Sequence, residues 1–95
     1  MVHSLTADTI DSQTRAFYFE VPRSKVVFFQ ALFETYEGIA TVRTLNLERS
    51  LVCVLTTATL APLCIELLHA AKKDLEWVPV EGRPKEAEAQ VADNE

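Results

Sequence analysis

Arg23, Ser24 and Lys25 stand at the start of a helical pattern, and Arg43 lies on the strand-like stretch after it, a set suited to holding an anion. Free amides and the dipole at a helix start favour a carboxylate or phosphate, which guanidinium groups would pair. The same residues also fit a capping serine among solvated bases. Glu34 and Glu37 are spaced as an acid/base pair, but without a nucleophile or orienting group they read as a solvated helix edge. Glu66 and His69 sit one helical turn apart, as in carboxylate–histidine metal sites, yet no other segment supplies matching ligands, so His69 reads as a surface residue. His3 supports no chemistry. Tyr18 and Trp77 are of the type that stacks on bases, but the third strand lacks the aromatic and basic residues of an RNA-binding sheet. No catalytic set and no cofactor site emerges.

Composition narrows the function classes further. The formal charge is −5, and residues 15–80 carry seven acids and seven bases, so the excess of acid lies at the two ends. A neutral body with acidic ends lacks the electrostatic footprint for nucleic acid and permits self-association. Cys53 lies in an apolar run and Cys64 on an apolar helical stripe, with no Cys-x-x-Cys spacing, so both read as small buried hydrophobes rather than a disulfide or metal pair. Residues 1–13 lack the basic start and apolar run of a signal peptide, and no segment reaches the ~20 apolar residues of a membrane span. The expected compartment is the cytoplasm, with no membrane partner.

The elements that must position these residues follow from periodicity. Residues 1–14 read as a flexible arm able to add a short edge strand. Arg15 to Val21 alternates, with Phe17, Phe19 and Val21 on one side and Ala16, Tyr18 and Glu20 on the other, which predicts a strand. Pro22 and Ser24 open a helix running to Glu37, and Gly38 stops it. Ile39 to Leu45 is a second strand. Ser50 to Thr57, apolar on both faces through Leu51–Leu55, is a third, central one. Thr59 is the expected cap of a second helix with Pro62 in its first turn, ending near Lys73. Residues 74–80 close the pattern as a fourth strand, which Pro79 confines to a sheet edge. Residues 81–95 read as a disordered acidic tail.

Strand, helix, strand, strand, helix, strand on one core predicts an α+β protein: a ferredoxin-like βαββαβ sandwich with a four-stranded antiparallel sheet and two helices on one face, spanning residues 15–80. The opposite sheet face is then bare. Tyr18, Ile39, Leu45 and Cys53 are the expected contacts of a homodimer formed through that face or an edge strand.

The element order and the run Glu34-Thr35-Tyr36-Glu37-Gly38-Ile39-Ala40-Thr41-Val42-Arg43-Thr44 resemble a family of bacterial domains of unknown function with ACT-like topology, over roughly residues 17–80. The resemblance implies a regulatory module that binds an amino acid or small anionic metabolite, through the loop Glu20-Val21-Pro22-Arg23-Ser24 and the second strand. Arg23 stands where ACT domains usually carry glycine. The expected function is therefore a non-enzymatic, ACT-like ligand-binding homodimer. The alternatives are a protein interaction module without a small-molecule site, and an acylphosphatase-like hydrolase using Arg23 and Asn46. The last lacks a glycine-rich phosphate cradle between Val21 and Lys25.

Overall fold

The computed structural model describes residues 5–36 and 38–88. His3 and Glu37, and residues 89–95 of the expected tail, lie outside the described residues. The protein is α+β, with an antiparallel sheet and its main helices on one face.

Strands β1 (Asp8–Thr9), β2 (Thr14–Glu20), β3 (Ala40–Asn46), β4 (Leu51–Thr57) and β5 (Val78–Pro79) form one sheet. Its order is β1–β2–β4–β3, and β5 also pairs with β2. The two short strands share one edge: β1 lies against Arg15 and Ala16, and β5 against Phe19 and Glu20. β4 is central, as its two apolar faces require. Two-residue alternation sends Phe17, Phe19, Val52 and Val54 into one cluster and Ala16, Tyr18 and Cys53 into another.

Helices α1 (Val26–Thr35), α2 (Ala61–Ala70) and α3 (Lys72–Leu75) all contribute to the first cluster, so they share one face of the sheet. A 3-10 turn over Arg23–Lys25, closed by the Lys25 amide donating to the Pro22 carbonyl at 2.7 Å, precedes α1. Ser24 makes no cap, contrary to expectation. α1 buries Val26, Phe29 and Phe33, at the 3, 4 spacing of one stripe. The end of α2 that was expected to be capped by Thr59 is served instead by Thr57, whose Oγ1 accepts from the Leu60 amide at 3.1 Å.

The helical stretch runs on through Leu75, so residues 74–75 are helix where a strand was expected. Leu75 reaches the core from that extra turn, and Glu76 then reverses the chain in a left-handed conformation at φ 53°. Trp77 follows as the keystone: its ring lies 4.9 Å from that of Phe19, and its Nε1 donates to the Leu68 carbonyl at 2.7 Å. Lys72 caps the arrangement, its ammonium 4.3 Å above the indole and donating to the Trp77 carbonyl.

The second sheet face departs from the expected bare surface. Residues 85–88 are helical and lie on it, with Ala87 2% exposed in a cluster that includes Ala16, Tyr18 and Cys53. Ile10 from the arm and Val80 pack against the same cluster. The tail through residue 88 is thus part of the folded body. Its apolar groups are few, but each falls on a surface already apolar, which lowers the area needed to hold it.

Candidate functional site

The arm and tail are fastened by charge. Arg83 grips Asp8 in bidentate fashion, with Nε 2.7 Å from Oδ2 and Nη2 3.1 Å from Oδ1. The buried Tyr18 hydroxyl donates to the same carboxylate. The Arg83 hydrogen bond holds the Asp8 carboxyl below its ordinary value, and Asp8 in turn raises the guanidinium's. Burial first, then the Asp8 hydrogen bond, pushes the Tyr18 phenol up, so it stays a neutral donor.

A second fastening holds the tail at the far end. Glu86 accepts from Asn46 Nδ2 and from Arg49 Nη1, both at 3.1 Å, while Arg49 Nη2 reaches Glu20 at 3.2 Å. A β-bulge makes this reach possible: the register slips between Thr44 and Asn46, re-aiming Asn46 so that its amide meets the tail.

Between the first fastening and β5 lies a cleft of about 520 Å³. Leu5–Asp8 make one wall, residues 79–82 the other, and Phe17–Phe19 of β2 the floor. It exists because β1 leaves β2 after Asp8 and β5 joins it only at Phe19, so the strands diverge over the two residues between. The charged lining groups are Asp8, already held by Arg83, and Glu81. Such a cleft suits a neutral or cationic molecule with an apolar body, and opposes an anion.

The residues expected to bind an anion are not brought together. Arg23, Ser24 and Lys25 begin the helical layer, and Lys25 lies 5.9 Å from the Phe28 ring. Arg43 belongs to the other side of the sheet. On β3, Ala40 and Val42 pack into the helix-side core, so alternation places Thr41 and Arg43 on the opposite face, where the charge of Arg43 partly offsets the rise that burial imposes on the Cys53 thiol. Of the expected dimer contacts, Tyr18 and Cys53 are each 4% exposed under the chain's own tail, Leu45 packs beside them, and Ile39 packs against the helix-side core. They do not form one open surface.

Burial raises the Cys53 thiol to about 12 and the Cys64 thiol to about 11, which removes them as nucleophiles near neutral pH. Glu66 is exposed and His69 packs edge-on to Trp77 at 5.8 Å between centroids. Among the described residues there is no cluster of three or more metal-ligating side chains, and no helix is long and apolar enough to cross a membrane. The clasp of Asp8 and Arg83 was hidden in the sequence by its separation of 75 positions. Its one signal was a pair of bases, Arg83 and Lys85, early in a tail whose other charges are acidic.

The profile of the DUF4911 family, described as a domain of unknown function, matches residues 19–74, more than half of the chain. The chain belongs to the DUF4911 family. The DUF4911 match takes in α1 through α2 and the central hairpin, while Asp8, Tyr18, Arg83 and the cleft's arm wall fall outside it. Comparison with curated proteins gives no match, and comparison with solved structures gives none either.

Proposed function

We propose that this DUF4911 domain is a non-enzymatic small-ligand-binding module whose site is the cleft between arm and tail. The single observation carrying this reading is the construction of the cleft: two chain ends and the central β2 each supply a wall, so a molecule bound there would touch all three. Ligand binding would then stabilise the closed ends, which is how a sensor couples occupancy to shape. The volume falls within the usual range of small-molecule sites, and the negative lining selects an amine-bearing molecule with an apolar body, of amino-acid size.

The scaffold reading is ferredoxin-like with ACT-like element order. It is supported by the path β5–β2–β4–β3, with β1 as an addition on the β5 edge. The high thiol pKa values argue against either cysteine as a nucleophile, and two free buried cysteines support a reducing cytoplasmic setting.

Thermal-shift screening with amines and amino acids tests the reading. A ligand at 100 times its Kd adds about 2.7 kcal/mol to stability, and Ala7→Trp, which fills the cleft, should abolish that gain. A panel without any stabilising amine, or an undiminished shift in Ala7→Trp, overturns it. A second reading, a protein interaction module, is favoured by the outer surface of α1, where Val27 is 70% and Phe28 63% exposed.

A further inference from the structure

We propose that two copies of this chain join edge to edge through β3, making one continuous antiparallel sheet about a two-fold axis at Val42. The inference begins with backbone direction. The Val80 amide donates to the Tyr18 carbonyl at 2.8 Å, so Tyr18 points its backbone groups away from β4. Alternation then directs Phe17 and Phe19 towards β4, where they meet Val54 and Val52. The next residues of β4, Cys53 and Leu55, must therefore hydrogen-bond to β3, at Arg43 and Thr41. This leaves the N–H and C=O groups of Ala40, Val42 and Thr44 directed outward. Among the described residues no strand pairs with that edge, whereas β1 and β5 occupy the opposite one.

An open edge of this kind is a template for another strand. Self-pairing about Val42 uses all three outward positions, setting Val42 against its own copy and Ala40 against Thr44 of the second copy. On the other face it sets Thr41 against Arg43 of the second copy. The neighbouring two-fold register, centred on Arg43, would put two guanidinium groups directly opposite and is disfavoured by their repulsion. Centring on Thr41 leaves Thr44 unused. Val42 is thus the register at which hydrogen bonding and charge agree.

The helical layer is prepared for the same partner. Gln30 of α1 reaches Thr44 of β3, Nε2 to Oγ1 at 3.1 Å, so α1 runs beside the open edge. Val27, Gln30 and Glu34 share its stripe by 3, 4 spacing, and Val27 is among the most exposed apolar side chains. A groove of about 330 Å³ between α1 and β3, lined by Gln30, Phe33, Glu34 and Val42, receives side chains from an added strand. Edge pairing would bring the two α1 helices side by side and cover Val27, which the single copy leaves in water.

Sedimentation equilibrium of the full chain, up to millimolar concentration, tests the proposal. The parent is expected to dimerise. Val42→Pro removes an outward N–H without removing a bond to β4, so it should stay folded by circular dichroism and become monomeric. Thr41→Lys, facing Arg43 of the second copy at two symmetric places, should raise the dimer Kd roughly two- to thirtyfold, and Thr41→Glu should lower it by a like factor. A parent that remains monomeric, or a folded Val42→Pro that remains dimeric, overturns the proposal. If Val42→Pro does not fold, equal Kd values for the two Thr41 variants overturn it.

Discussion

Replacing Asp8 by alanine tests the clasp that holds the chain's two ends together. The substitution deletes a bidentate ion pair with Arg83 and the acceptor of the Tyr18 hydroxyl at once. The ion pair is partly open, with side chains 31% and 22% exposed, so solvent screening limits it to about 0.5–1 kcal/mol. The Tyr18 hydroxyl is another matter: Tyr18 is buried, and a buried donor left without a partner costs about 1–3 kcal/mol. Asp8→Ala should therefore lose about 1.5–4 kcal/mol, which for a domain of this size lowers Tm by roughly 6–32 °C. Removing the hydroxyl as well, in Asp8→Ala with Tyr18→Phe, should recover most of the buried-donor cost, leaving a deficit near 1 kcal/mol. Urea denaturation followed by circular dichroism gives the double-mutant cycle. An Asp8→Ala protein within about 0.5 kcal/mol of the parent, or a double variant no better than the single, would refute the reasoning.

Other outcomes follow from the same contacts. Asp8 titrates below its ordinary value of 3.8 because Arg83 holds it charged, so its contribution is complete above that pH and is lost as pH falls below it. Acid titration of the parent should lose more stability below pH 3.8 than that of Asp8→Asn. With thiols raised to about 12 and 11, Cys53 and Cys64 should label slowly in the native protein, and Asp8→Ala should speed labelling of Cys53, under the tail, far more than that of Cys64. Glu76→Gly should stabilise by about 0.5–1 kcal/mol in thermal melts, since Glu76 holds a positive φ that glycine adopts without strain.

Much of the helix-side architecture was legible because it rests on local periodicity. The alternation of Phe17 and Phe19, the two apolar faces of Leu51–Leu55, and Pro79 at an edge each have one physical solution, and the structure adopts it. The helix ends were less legible: Thr57 rather than Thr59 receives the capping amide, and Lys72–Leu75 adds a turn because burying Leu75 outweighs strand propensity. The arm and tail were read by composition, as polar and acidic. Their packing depends on single residues, Ala87, Asp8 and Arg83, meeting partners far away in sequence, which composition does not encode. The grouping of Arg43 with Arg23–Lys25 failed for a local reason. Strand parity carries Arg43 to the face opposite Ala40 and Val42, and hence away from the helix start.

The account turns on the tail closing the second face of the sheet, which forms the cleft's setting, while β3 is the edge on which no strand of the described residues pairs. A nuclear Overhauser spectrum of the full chain measures this most directly. The Ala87 methyl should show cross-peaks to Tyr18 and Cys53 side chains, and an upfield ring-current shift from the tyrosine. An Ala87 methyl at its random-coil position without those cross-peaks would contradict it.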